Sequence, residues 1–478
     1  MSLKKQAING AVWTYSQQFG TQLINFLVSI ILARLLLPEE FGLIGMISIF
    51  MGIGTTLFDG GMTSSLIRSK DLNNSDYSTV FIFNMLVSIG IYSVIFVISP
   101  FIAEFYYQPS LTEITRIYAL SFIFSAFGSV QNTILTKSMN FKKQTLLSIP
   151  SLIAGSIVGL FMAVNGFGVW SLVGMTLTNT LTLSIVLWLT SKWKPSFEFS
   201  NDIFIKHFNY GYKLTLSGIL DTVFTNIYQI VIGRFFSASI VGYYTRANQL
   251  MMMPVGNVST ALNKVAFPLF AEIQYDEARL KNAYKKIMLL VLFIINPIVV
   301  LMLVLAEPLT VFLFTERWLP MVPIFQIICL SGLLYPLHLY NLLILQVKGR
   351  SDLFLKLEIA KKVVLAIILI SSFFYGLYGL LWGQLLFSVL SLFINTYFAG
   401  SMINYPMRQQ IKDIIPLFLL AIFLGTSIYF VDQYFLMKLS DIIRLVINSI
   451  IGVSLYIATA YIFKFSSLLE IKNIILKK

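Results

Sequence analysis

Fourteen apolar stretches of roughly twenty residues or more follow one another along this chain, joined by short polar connections. That pattern leaves little choice of fold. A helix needs about 20 apolar residues to cross hydrocarbon. Within lipid each backbone N–H and C=O must be satisfied inside its own segment, which an isolated strand cannot do. The stretches lie at roughly 12–36, 41–66, 79–102, 114–136, 145–165, 167–190, 212–236, 242–270, 285–306, 321–346, 356–375, 377–401, 414–432 and 442–463. The expected fold is therefore all-α, a polytopic membrane protein of about 14 transmembrane helices. Composition agrees: 57% of residues are hydrophobic and 12% charged, against roughly 25% charged in a soluble domain. The longest polar connection, Lys192 to Lys213, is too short to fold by itself.

The net charge of +13 would suit nucleic acid, but the basic residues sit in short loops between apolar stretches, where they set orientation instead. With the N-terminus inside, the outer loops hold only Arg34, Arg116, Arg234, Arg246, Arg317, Lys438 and Arg444, leaving 27 of the 34 Lys and Arg on the inner side. This bias predicts both termini in the cytoplasm and a place in the cytoplasmic membrane; no cleavable signal peptide and no nucleic-acid partner are expected. The outer set is almost all Arg. A guanidinium grips phosphate or carboxylate in two places, which an ammonium cannot, so an Arg-rich outer end points to anion handling. Interfacial snorkelling would place the same residues there.

One pattern recurs. Ala33-Arg34-Leu35-Leu36 leads to Gly42, and Gly233-Arg234-Phe235-Phe236 leads to Gly242, at an offset of 200 residues, close to six spans. Duplicated halves with a binding region between them are a common transporter plan. The expected organisation is an N-terminal lobe over residues 1–200 (helices 1–6), a second over 201–405 (helices 7–12), and two further helices over 406–478.

Polar residues recur at helical spacing in three spans. Gln18, Gln22, Asn25 and Ser29 mark the first; Gly218, Thr222, Thr225 and Gln229 the seventh. The eighth carries Arg246, Gln249, Met253, Asn257, Thr260 and Lys264 on one face. Such faces are costly in lipid and are expected to line an aqueous cavity or to pack against other helices. Ionisable residues inside spans are functional candidates by default. Here they are Asp59 within Asp59-Gly60-Gly61, Asp221, Lys264 and His338. Asp59, Asp221 and His338 are the candidates for coupling to a proton or a sodium ion. Two histidines and the single Cys329 leave no metal or Cys–His chemistry to expect, and no Walker-type loop is present. No enzyme activity and no cofactor are expected.

The run Ala33-Arg34-Leu35-Leu36-Leu37-Pro38-Glu39-Glu40-Phe41-Gly42, then Asp59-Gly60-Gly61 and Ser78-Thr79-Val80-Phe81, resembles bacterial polysaccharide transporters of the Wzx/TuaB type. So do Gly242-Tyr243-Tyr244-Thr245-Arg246, Val265-Ala266-Phe267-Pro268, Trp318-Leu319-Pro320 and Gly349-Arg350-Ser351-Asp352. The family belongs to the multidrug/oligosaccharidyl-lipid/polysaccharide exporter superfamily. The resemblance implies two six-helix lobes around a central cavity. It also implies a flippase that moves an undecaprenyl-diphosphate-linked oligosaccharide to the outer leaflet by alternating access. Its partners would be membrane lipids, the lipid-linked oligosaccharide and, in the envelope, a polysaccharide polymerase with its chain-length machinery. On this reading Arg34, Arg234, Arg246 and Lys264 hold the diphosphate, and Gln18, Gln22, Asn25, Gln249 and Asn257 meet sugar hydroxyls. The resemblance further leads one to expect an acid two residues after the Asn of the seventh span, where this chain has Tyr228 after Asn226. The competing readings are a small-molecule or drug exporter of the same superfamily, a membrane-embedded polymerase or acyltransferase, and a non-transporting scaffold.

Overall fold

The computed structural model describes residues 20–196 and 198–476 and contains no strand among them. Ten helices occupy the first part of the chain. They are α1 (Gly20–Leu35), α2 (Pro38–Asp59), α3 (Met62–Arg68), α4 (Asn74–Tyr106) and α5 (Leu111–Tyr118), then α6 (Leu120–Lys137), α7 (Phe141–Val164), α8 (Trp170–Thr190), α9 (Asn201–Thr225) and α10 (Ile227–Phe235). Ten more follow: α11 (Ala238–Glu272), α12 (Glu277–Val304), α13 (Ala306–Phe314), α14 (Met321–Gly332) and α15 (Tyr335–Val347), then α16 (Ser351–Phe373), α17 (Gly376–Met402), α18 (Met407–Val431), α19 (Asp441–Ile462) and α20 (Ser466–Leu476).

Every predicted stretch falls on helix, the first of them in its described part. Ten helical segments are long and apolar enough to cross a membrane, eleven if α9 and α10, bent by 49° at Asn226, form one broken span. The chain is thus a multi-pass membrane protein. Three of the fourteen stretches fall short of that test for visible reasons. The described part of the first is only Gly20–Leu35. Helix α11 carries the polar stripe. Helix α16 opens with Asp352, Lys356, Glu358, Lys361 and Lys362.

The chain divides into two compact units, Met1–Gly242 and Tyr243–Lys478. In the first, helix starts are written locally. Pro38 opens α2, where a missing N–H costs nothing. Asn73 and Asp76 form a reciprocal capping box at α4. Helix α2 ends in Asp59-Gly60-Gly61, whose glycines have φ of 52° and 67°. That left-handed pair turns the chain straight into α3. Helix α9 lies along α2 on small residues: Gly218 meets Thr56, Gly52 meets Thr222, and Gly211 packs directly on the Gly60 and Gly61 backbone. Gln229 then ties α10 to α2 by donating to the Ser48 hydroxyl at 2.8 Å and to the Gly45 carbonyl.

The repeated segments meet in this unit. A Cβ placed on Gly42 would run into the Ala238 carbonyl, and one on Gly242 into the Pro38 carbonyl. Residue 38 is to 238 as 42 is to 242, so the contact is reciprocal.

In the second unit, Tyr284 is fully buried and donates to Asn341 Oδ1 at 2.8 Å, while the Asn341 amide donates to Thr396 at 3.1 Å. This chain of polar groups joins α12, α15 and α17. The last two long helices pack on α12: Gly425 faces Val300, Gly452 faces Leu301, and the Tyr456 hydroxyl donates to the Phe293 carbonyl at 3.1 Å. Between them Arg444 forms a buried two-point pair with Asp432, 3.1 Å from Nε to Oδ1 and 2.6 Å from Nη2 to Oδ2; Asn448 donates to the same Oδ1 at 2.8 Å.

Candidate functional site

A cavity of about 560 Å³ opens inside the first unit, bounded by α2, α3, α6, α8 and α9. Its wall is made largely of hydroxyls: Thr55 and Thr56 from α2, Thr63 and Ser64 from α3, Ser125, Ser129, Thr133 and Thr136 from α6, Thr180 and Ser184 from α8, and Thr215 from α9. Asn132 adds a carboxamide, and Asp59 is the only ionisable residue among the described residues of the lining.

The hydrogen-bonding sense of this wall follows from its helices. A Ser or Thr inside a helix can return its O–H to the carbonyl one turn back. Thr55 donates to Met51 O at 2.8 Å, Thr56 to Gly52 O at 3.0 Å, Thr133 to Ser129 O at 2.8 Å and Thr215 to Gly211 O at 3.1 Å. Thr136 and Thr180 do the same. With its hydrogen used, each oxygen has only lone pairs to offer. Asn132 Oδ1 accepts from Gln144 Nε2 at 2.7 Å. The wall therefore presents mainly acceptors and one carboxylate. It suits a ligand rich in O–H or N–H donors, and it repels a bare phosphate.

Among the described residues proposed from sequence for binding or coupling, only Asp59 lines this cavity. Gln18 lies outside the described residues. On α1, Gln22 is half-buried while Asn25 and Arg34 are exposed. Arg234 stacks on Tyr107, with its guanidinium carbon 4.2 Å from the ring centre, and donates to the Tyr107 hydroxyl at 2.9 Å and to the Phe105 carbonyl. Its fork thus holds α10 to the end of α4. Asp221 is exposed on α9, outside the cavity lining.

In the second unit, Arg246 donates to Gln249 at 2.8 Å, which brings two predicted residues together. Gln249, Thr260 and Lys264 are exposed and Met253 and Asn257 half-buried, whereas Ala247, Leu250, Met251, Val255 and Ser259 on the same helix are buried. The polar stripe is thus the open face of α11. His338 lies 3.0 Å from the Ser388 hydroxyl and 3.4 Å from Asn395 Nδ2.

Two features escaped the sequence reading. One is the hydroxyl wall itself, although Ser125, Ser129, Asn132, Thr133 and Thr136 recur at helical spacing as clearly as the stripe on α11. The other is His207. It is fully buried, with Nδ1 2.7 Å from the Ser65 hydroxyl and Nε2 3.2 Å from Asp76 Oδ1. Neither partner is near it in the chain, so no local signal marks it.

Known proteins agree with this architecture. Residues 31–323 match the family described as polysaccharide biosynthesis protein. The teichuronic acid biosynthesis protein TuaB of Bacillus subtilis is 25% identical over 431 residues, covering 89% of this chain and 88% of the relative. The lipopolysaccharide biosynthesis protein WzxC of Escherichia coli is 24% identical over 404 residues, covering 83% and 81%. Among solved structures, the lipid II flippase MurJ in an inward closed conformation superposes with a TM-score of 0.75 at 17% identity, over 95% of this chain and 98% of that one. An inward-facing multidrug resistance MATE transporter superposes at 0.59 and 18% identity, over 80% and 95%. These two likenesses are of fold. With its match running over more than half its length, the chain belongs to the family of polysaccharide biosynthesis proteins.

Proposed function

We propose that this chain is a flippase that carries an undecaprenyl-diphosphate-linked oligosaccharide across the cytoplasmic membrane, by alternating access, for polysaccharide export. The observation that carries the reading is the hydroxyl-lined cavity of about 560 Å³ within a membrane-spanning unit. Moving sugars through hydrocarbon would strip their hydroxyls of hydrogen bonds at several kcal/mol each. A wall of acceptors replaces those bonds while the prenyl chain stays in lipid. The relatives are named for making teichuronic acid and lipopolysaccharide, and the fold is shared with a lipid II flippase; both support this substrate class.

The diphosphate needs a different surface, because Asp59 repels it. Arg34, Arg246 and Lys264 are the residues we assign to it, with Gln249 and Asn257 beside them. Arg234 would join them only by leaving Tyr107. The proposal includes fourteen spans with both termini cytoplasmic, two six-helix lobes followed by two further helices, and no enzymatic step. A polysaccharide polymerase and its chain-length machinery are the protein partners it implies.

The test is transport of a lipid-linked oligosaccharide in reconstituted vesicles, normalised to folded protein. Asn132→Leu with Thr180→Val should lower the rate several-fold, since each neutral hydrogen bond is worth about 1 kcal/mol. Unchanged transport would remove the cavity from the substrate path. One observation favours a second reading: a lone carboxylate among acceptors also suits a cationic small molecule, so the chain would be a drug exporter. Asp59→Asn separates the two, abolishing export of a cation while leaving most transport of a neutral sugar.

A further inference from the structure

We infer that His207 is a proton-binding site whose charge sets how α9 seats on the cavity wall. The inference stands whatever crosses the cavity, and it begins with hydrogen-bond direction. Asp76 Oδ2 accepts the Asn73 N–H at 3.0 Å, and Oδ1 lies 3.6 Å from the Lys206 ammonium. A carboxylate so used is an acceptor on both oxygens. His207 Nε2, 3.2 Å from Oδ1, must therefore carry the hydrogen. In the neutral ring Nδ1 is then an acceptor, and the Ser65 hydroxyl 2.7 Å away donates to it. His207 is neutral in this arrangement, with one acceptor site able to take a proton.

The surroundings accommodate that proton. A new Nδ1–H bond would donate to Ser65 Oγ. The Ser65 hydroxyl hydrogen would turn to the Gly61 carbonyl one turn back, which already accepts the Ser65 N–H at 3.0 Å. No atom other than the incoming proton, drawn from water, is gained. The charge balance changes more than the bonding. The His207 imidazolium would be a charge buried away from water, near two like charges, Lys206 and, from α6, Lys137, whose ammonium caps the Leu66 carbonyl of α3 at 2.9 Å, with Asp76 the one carboxylate to offset it.

Position converts charge into movement. His207, Gly211 and Thr215 are spaced four apart and share one face of α9. Gly211 rests on the Gly60–Gly61 backbone with no room for a Cβ, and Thr215 lines the cavity. His207 is the next contact along this seam and holds α9 to α3 and α4. Neutral His207 seats the helix; the added charge loosens it and opens the cavity at Thr215.

The chain has two histidines, so His338→Gln leaves His207 as the sole reporter. In that variant, nitrogen NMR of labelled histidine should show a neutral Nε2–H ring at high pH and an imidazolium at low pH. In a Cys329→Ala background, Thr215→Cys should react with a water-soluble thiol reagent, per thiolate, about tenfold faster once His207 is charged, the change given by about 1.4 kcal/mol of bias. His207→Gln, which can donate to Asp76 but takes no proton, should make that rate independent of pH. If it does not fold, the measurements that retain His207 decide. A ring that stays neutral throughout, or one that titrates without moving the labelling rate of the Thr215→Cys variant, overturns the proposal.

Discussion

Gly42 and Gly242 stand backbone to backbone, and the space that a side chain on either would need is held by a carbonyl of the other segment: Ala238 for Gly42 and Pro38 for Gly242. Packing this close has no tolerance for a methyl. Gly42→Ala and Gly242→Ala should each cost about 3 kcal/mol or more, at the upper end of overpacking. Gly90→Ala, a helical glycine with nothing within 4 Å of its Cβ, should be neutral or stabilise by up to about 1 kcal/mol. Thermal unfolding of the three purified variants checks this; equal melting temperatures would refute the contact.

Arg444 and Asp432, 7% and 3% exposed, form a pair that either partner alone would make costly. Asp432→Ala leaves the buried Arg444 charge with only Asp441, 3.4 Å from Nη1, and should destabilise by about 3 kcal/mol. The double change Asp432→Leu with Arg444→Met should recover most of that loss. Recovery of the melting temperature with transport per folded molecule intact marks a structural pair; recovery with transport lost marks one that transport requires.

The arginines should divide by what holds them. Arg234→Lys loses the stack on Tyr107 and should lower stability by about 1 kcal/mol, leaving transport per folded molecule largely intact. Arg34→Lys and Arg246→Lys should lose about 10- to 100-fold in transport per folded molecule, the worth of one charge-assisted bond to phosphate. Full activity in both would end the bidentate-phosphate idea.

Single cysteines along the open face of α11, at Gln249, Asn257 and Thr260, should react with a charged thiol reagent once Cys329 is replaced. Cysteines at Leu250 and Val255, which are buried, should not. Equal protection of both sets would mean that the stripe is packing.

The helices were legible because lipid imposes a single rule of length and apolarity, and even the caps at Pro38 and Asn73 are local. The stripe on α11 was legible because Arg, Gln, Asn and Lys stand out in an apolar span. The cavity wall on α6 obeys the same spacing, but Ser and Thr are small enough to pass for packing residues, and only the meeting of five helices makes them a surface. His207 was invisible for a different reason. Its partners lie 142 and 131 residues away, and no periodicity reports a contact of that reach. Arg234 was misleading in the same way: sequence shows a guanidinium at a span's end but not the tyrosine that occupies it.

The hydroxyls that return their hydrogens to the backbone have one more consequence. A binding surface with fixed donors and acceptors reads stereochemistry, since an inverted sugar carbon puts a donor against a donor. A surface made mainly of acceptors makes little such demand, because any hydroxyl can rotate to offer its hydrogen. The wall built on Thr55, Thr133, Thr180 and Thr215 would thus hold sugars of many configurations about equally, each weakly, and release them as readily as it takes them. Discrimination among repeat units would then fall to the enzymes that assemble the cargo rather than to the protein that moves it.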